Sequence, residues 1–131
     1  REVLGKMYDA LGISRGEDDQ RLYWHMNMDR FFDAPNLIVV CVERSLAPWT
    51  LMDIGAINCA ITLLAHSHGL GTCIMGRAAN YPEILRGHLH IPDNKLVVIG
   101  MAIGHPDLDA AVNKFRAGRE PLDSFVTWHG M

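Results

Sequence analysis

The stretch from Asp53 to Gly76, DIGAINCAITLLAHSHGLGTCIMG, constrains the fold more than any other part of the chain, because no Asp, Glu, Lys or Arg follows Asp53 until Arg77. A helix that is apolar all round has to be buried, either in a core or against another subunit. Its unbroken apolar part is too short for a membrane span. Small residues would let a second helix approach closely: Gly55, Ala56, Cys59 and Ala60. The stretch predicts a long buried central helix, with core helix and subunit interface as the two alternatives.

Length and charge exclude several classes of protein. A chain of 131 residues is long enough for one domain, so residues 1–131 are predicted to form a single domain. The hydrophobic share of 49% and the charged share of 21% are ordinary for a globular protein. A net charge of -3 without a sustained basic run gives no electrostatic footprint for nucleic acid or an anionic membrane.

The cysteines and the first residues bear on compartment and completeness. An odd number of cysteines in apolar surroundings favours buried free thiols in a reducing compartment, and we expect a cytoplasmic protein. They are Cys41, Cys59 and Cys73. The opening REVLGK has no signal-peptide pattern and does not begin with Met. We therefore expect a piece of a longer chain or a processed product.

The apolar periodicity predicts a mixed helix and sheet fold. Buried strands are predicted at Leu37–Val42 and Lys95–Ile103, with a weaker one at Leu70–Met75. Helices are predicted at Glu2–Leu11, from a cap near Asp53 to about Gly69, and from Pro82 onward. The segment SFVTW near the end is expected to be extended. These elements indicate an α/β or α+β sandwich.

Few residues carry the pattern of a catalytic or metal site. The glycine-rich segment 69–76 follows a helix and precedes a strand, which is the wrong order for a dinucleotide-binding loop. The pairs His66-x-His68 and His88-x-His90 lack further ligands at metal-binding spacing, so no metal is expected. The aromatic and methionine residues of Tyr23–Phe32 are typical of either core or a pocket lid.

A basic cluster near the end of the chain is the one electrostatic feature with a plausible ligand. Lys114, Arg116 and Arg119 lie within six positions, with Glu120 beside them. Such cations bind a phosphate well. A solvated tail remains the alternative interpretation.

Several motifs in one order carry a resemblance to a known family. They are Ala34-Pro35 before a β run; Trp49, Asp53 and Gly55 opening an apolar helix; GLGTC with Gly76; Ile91-Pro92; IGMAIGHPD; and the tail RAGREPLDSFVTWHG. In this order the chain, from about Asn27 to Gly130, resembles the flavin-dependent nitroreductase family, particularly the branch that reduces nitrobenzoate-like and other nitroaromatic compounds.

The resemblance implies a fold, a cofactor and a reaction. It implies an α+β nitroreductase-like helix and sheet sandwich that forms a wrapped homodimer, with FMN at the subunit interface. Hydride would pass from NAD(P)H to the flavin and then to a nitro group, quinone or similar acceptor, in ping-pong order. Since the chemistry belongs to the cofactor, no protein acid, base or nucleophile is required.

The resemblance also implies cofactor-binding residues. The backbone N–H groups of Met75 and Gly76 would lie near the edge of the flavin ring, with Ile74 beside them. Arg119 matches the family's C-terminal basic residue at the FMN phosphate, and Arg116 and Lys114 are further candidates for that role.

One departure from the family pattern concerns the N-terminal part. The family's Arg-x-Ser-x-Arg motif and its Asn/Gln-Pro-Trp segment do not occur here, and Arg1 falls where the family's following helix would begin. We therefore expect the domain to be N-terminally incomplete, with a longer natural protein or a companion chain supplying the missing part. The alternative is a flavin-free binding or scaffold protein that keeps the dimeric fold.

Overall fold

The computed structural model describes residues 2–130, which form two compact units. One unit is Asp18–Pro106, and the other combines the described residues up to Glu17 with those from Asp107 onward. The prediction of a single domain over residues 1–131 stays a prediction.

The Asp18–Pro106 unit contains a three-stranded antiparallel sheet in the order β1-β3-β2. Its strands are β1 (Asn36–Glu43), β2 (Gly71–Met75) and β3 (Lys95–Gly104), each within two residues of the predicted strand. β3 lies in the centre and supplies three of the buried hydrophobic residues: Met101 is fully buried, and Val97 and Ala102 are nearly so. The α+β class is therefore confirmed.

The long apolar helix is α3 (Thr50–Ser67), and it begins before the predicted cap. Trp49 occupies the N-cap position without a side-chain cap, and Asp53 lies inside the first turn, so the prediction that Asp53 caps the helix is wrong. Thr50 Oγ1 donates a hydrogen bond to the carbonyl of Ala47 at 2.8 Å.

Most of α3 is not buried within this chain. Its buried residues are Ile54, Asn58 and Ala65. Its exposed large apolar residues are Leu51, Met52, Ile57, Leu63 and Leu64. Within this chain most of the helix surface is uncovered, so burial in a core and burial against another subunit both stay predictions for that surface. Contrary to the expectation that its apolar part is too short, α3 is long and apolar enough to cross a membrane by length and composition alone. This criterion is weak, because core helices of soluble proteins also meet it.

Each of the two units contains further helices and turns. In the Asp18–Pro106 unit they are α2 (Asp18–Asp29), a turn at Phe31–Asp33, a 3-10 segment at Gly76–Asn80 and α4 (Pro82–Leu89), with Pro82 in the first turn as predicted. In the other unit they are α1 (Glu2–Ala10), α5 (Ala111–Lys114) and a 3-10 turn at Leu122–Ser124. The expected extended segment SFVTW is not a strand within the described residues.

The cysteine prediction is partly wrong. Cys59 and Cys73 are exposed, and Cys41 is half-buried. Cys59 lies on the uncovered surface of α3, which the sequence pattern had placed in the interior.

Candidate functional site

The end of β2 presents the three residues predicted to contact the flavin. Met75 is buried and pairs with Gly100 of β3, whereas the Ile74 side chain is half-exposed. Gly76 follows at the start of the 3-10 segment, and a Cβ built on Gly76 would meet no heavy atom within 4 Å. Gly76 is therefore exposed and has open space beside it, whereas Met75 lies inside the sheet.

Arg77, the next residue, forms a bidentate ion pair with Asp29 at the end of α2. Arg77 Nη2 donates to Asp29 Oδ2 at 2.9 Å, and Arg77 Nε donates to Oδ1. The Arg77 guanidinium holds the pKa of the Asp29 carboxyl below its usual range. Sequence reasoning missed this pair, because the two residues are 48 positions apart and no local pattern connects them.

The aromatic segment Tyr23–Phe32 spans α2 and the turn after it. No residue of α2 is buried, so a core role for this helix is wrong. Trp24 and Phe32 contact each other with ring centroids 5.1 Å apart. Tyr23 and Met26 are more than half exposed. The segment therefore presents an apolar, largely aromatic surface close to the Asp29–Arg77 pair.

The turn between α2 and β1 has an unusual backbone. Phe31, Phe32 and Asp33 all have φ near +55°, in the left-handed region that side chains rarely adopt. Each such residue stores strain of about 1–3 kcal/mol. Strain of this kind persists only where surrounding contacts fix the conformation.

The predicted phosphate cluster lies in the other unit, on α5 and the irregular segment after it. Lys114, Arg116 and Arg119 are all exposed, and none pairs with a carboxylate in the part of the chain that the structure describes. The two guanidinium groups donate to nearby main-chain carbonyls, of Asn113 and Phe115 and of Ala117 and Gly118 respectively. Within the described residues, no carboxylate therefore neutralises their positive charge.

The described residues contain no ready cluster of the side chains that bind metal ions. Among residues 2–130, no group of three or more His, Cys, Asp or Glu side chains is arranged to hold a metal ion.

Comparison with known proteins defines the class of the chain. Residues 4–105 match the Nitroreductase family. The 4-nitrobenzoate reductase of Nocardioides sp. (strain LMS-CY) is 34% identical over 130 residues, which cover 98% of this chain and 53% of that protein. The crystal structure of an FMN and NADPH-dependent nitroreductase, NfnB from sphigopyxis sp. strain HMH, superposes with a TM-score of 0.95 at 31% identity, over 99% of this chain and 58% of that one.

A second solved structure agrees. The FMN-dependent nitroreductase NfnB from Mycobacterium smegmatis, crystallised with NADPH, gives a TM-score of 0.89 at 25% identity, over 96% of this chain and 56% of that one. The chain belongs to the Nitroreductase family, and the predicted resemblance and nitroreductase-like fold are confirmed. It spans somewhat more than half the length of these relatives.

Proposed function

We propose that the protein to which this chain belongs is an FMN-dependent oxidoreductase that takes hydride from NAD(P)H and reduces a nitroaromatic, quinone or similar acceptor. The observation that carries the proposal is the match to nitroreductases along nearly the whole chain, including β2 and Gly76. The named relative is a 4-nitrobenzoate reductase, and the similar structures are an FMN and NADPH-dependent nitroreductase and an FMN-dependent nitroreductase in complex with NADPH. Each of them extends beyond this chain, so the activity proposed is that of the whole protein.

The residues present fit two parts of an FMN molecule. The isoalloxazine ring needs an open, uncharged surface, and the half-exposed Ile74 and the empty space beside Gly76 offer one. The phosphate needs cations that are not already neutralised. Lys114, Arg116 and Arg119 meet that requirement within the described residues.

When bound, FMN supplies the hydride chemistry, and the chain's own residues bind and orient it. The backbone N–H groups of Met75 and Gly76 would stabilise negative charge at the ring edge, because a fixed donor needs no reorganisation as the charge develops. Arg119 would hold the phosphate, and Arg116 and Lys114 would add positive charge. The side chain of Ile74 would help to exclude water from the ring. The proposed reaction requires no catalytic acid, base or nucleophile of the protein, because the flavin supplies the chemistry.

A second copy of the chain is the proposed partner. The exposed apolar residues of α3 form a surface that water does not favour, and such surfaces mark interaction sites. We infer a homodimer through α3, with the flavin at the subunit interface and the protein in the cytoplasm. Replacing the half-exposed Ile57 by Lys should give monomers in size-exclusion chromatography with light scattering, whereas Lys6→Glu on α1 should leave the dimer intact.

The visible absorption spectrum of the protein after incubation with FMN and desalting tests the proposed cofactor. Retained flavin bands, followed by NAD(P)H oxidation that depends on a nitroaromatic acceptor, are the expected result. A folded, colourless protein would favour the alternative, a flavin-free binding or scaffold protein.

Residue-level tests use pairs of matched variants. Gly76→Ala should leave stability unchanged, because its Cβ would meet nothing, but should weaken FMN binding by filling the space beside the ring. Gly87→Ala on α4, where a Cβ also meets nothing, is the control and should bind FMN normally. Arg119→Ala should weaken FMN binding more than Lys114→Ala, and equal small effects would contradict the phosphate assignment.

A further inference from the structure

The Arg77–Asp29 ion pair joins two parts of the Asp18–Pro106 unit that meet at the proposed site. Arg77 follows Gly76 directly in sequence, and Asp29 is the last residue of α2. Both nitrogens that donate belong to one guanidinium, which fixes the direction as well as the distance of the contact. The end of α2 is thereby held beside the backbone that leaves β2.

Helix α2 depends on this contact more than a buried helix would. None of its residues is fully buried, and half-buried side chains such as Trp24 and Met28 give it less apolar packing than a core helix has. On its C-terminal side the chain passes through the left-handed turn Phe31–Asp33, whose strain has to be held by neighbouring contacts. Trp24 and Phe32 make a ring contact across that turn. The ion pair connects the end of α2 to the chain that leaves β2, and the ring contact connects α2 to the turn that follows it.

The surface that α2 carries suits a flat aromatic molecule. Tyr23 and Met26 are exposed, and Trp24 stands half-exposed beside Phe32. Aromatic rings and a polarisable thioether bind planar rings well, through stacking and sulfur contacts. Moving α2 would therefore move the groups that an aromatic acceptor contacts.

We propose that Arg77 and Asp29 are positioning residues, whose ion pair holds α2 beside the end of β2 and thereby determines how well an aromatic acceptor binds. The inference rests on the proposed function. It assigns the pair a role in acceptor recognition and none in flavin binding or in hydride uptake from NAD(P)H.

The test compares three variants of the FMN-loaded protein. Asp29→Asn removes the charge and keeps the shape, and the double variant Asp29→Arg, Arg77→Asp restores the pair with exchanged charges. Asp33→Asn is the matched control, because Asp33 is an exposed carboxylate of the same segment that pairs with Arg30. The readouts are KM for a nitrobenzoate, the rate of flavin reduction by NADPH, and hydrogen exchange of the α2 amides.

Asp29→Asn should raise KM for the nitrobenzoate roughly tenfold, as expected when binding groups are misplaced, while flavin reduction by NADPH stays unchanged. Exchange of the α2 amides should speed up in that variant. Both effects should be largely reversed in the exchanged pair and absent in Asp33→Asn. An unchanged KM, or unchanged exchange in α2, would overturn the inference.

Failure of the proposed function looks different. If the unsubstituted protein retained no flavin and reduced no acceptor, the role in acceptor recognition would fall with it. Hydrogen exchange of α2 in the flavin-free variants would still show whether the ion pair holds the helix.

Discussion

Gly100 of β3 packs directly against the methyl group of Ala78, so closely that a Cβ built on Gly100 would lie 2.5 Å from the Ala78 Cβ. Ala78 is buried within the 3-10 segment that follows Gly76. This contact lays the chain that leaves β2 back onto the central strand, and it leaves no room for a side chain at position 100.

Gly100→Ala should therefore destabilise the protein by about 1–3 kcal/mol, the usual range for overpacking a core. Urea unfolding followed by circular dichroism would measure the change. Gly87→Ala, in the open on α4, should be neutral or stabilising, since alanine favours a helix. Equal behaviour of the two variants would contradict the close packing at Gly100.

Arg86 of α4 should stabilise the turn before β3. Its guanidinium donates to the carbonyl of Pro92 at 2.6 Å and to that of Lys95. Arg86→Lys cannot span both acceptors, because an ammonium is a single point donor, and should lower the free energy of unfolding by about 1–3 kcal/mol. Arg44→Lys, which alters a single exposed bond to Asp93 of the same turn, should have a smaller effect. A larger effect at Arg44 would reverse this assignment.

Asn58 is the one buried polar residue on α3, with 4% of its surface exposed, and its Oδ1 has no hydrogen-bond partner within the described residues. A buried unpaired acceptor is unfavourable by about 1–3 kcal/mol. Asn58→Leu should therefore raise the thermal unfolding temperature, and Asn58→Asp should lower it sharply by burying a charge. A destabilised Asn58→Leu would mean that this oxygen has a donor in solution.

The Cys73 thiol should react slowly with iodoacetamide near neutral pH. Its pKa is raised by partial desolvation, so a smaller fraction is thiolate at a given pH. Peptide mass spectrometry would follow the rate of alkylation of Cys73 against pH. In the folded protein this rate should still rise at pH values at which the rate for Cys73 in the urea-unfolded chain has already levelled off. The raised pKa also affects the free energy of unfolding. As pH rises, the thiol of the unfolded chain loses its proton before that of the folded chain, so the free energy of unfolding falls between the two pKa values. Coinciding pH profiles would show that the pKa is unshifted.

The strands could be predicted from the sequence because each is a short apolar run bounded by turn residues. The buried run Lys95–Ile103 is an example, and the structure extends it by one residue to Gly104. Helix α2 was not predicted, because its apolar residues are exposed or half-buried and do not recur with a clear helical period. The start of α3 was misplaced for a related reason: the helix begins at Thr50 without a side-chain cap, and Asp53 looked like one.

Part of the candidate site was also predicted from the sequence, and part was not. The resemblance gave Ile74, Met75 and Gly76, and the structure adds the open space beside Gly76. The Arg77–Asp29 pair could not be predicted from the sequence, because the two residues are 48 positions apart and meet only in the folded chain. The role of Lys114, Arg116 and Arg119 at a phosphate stays a prediction.

The central position of β3 has a consequence for synthesis on the ribosome. β3 is the last strand to emerge, yet it pairs with both β1 and β2, as in the contact between Asn36 and Ile103. Until Lys95–Gly104 has left the exit tunnel, neither earlier strand has its native neighbour, and α3 is already outside with its apolar surface uncovered. Pairing between distant positions is slow, and exposed apolar surface attracts chaperones and aggregates. Among the described strands, β1 and β2 therefore stay unpaired until β3 emerges, and the exposed surface of α3 stays uncovered even after that.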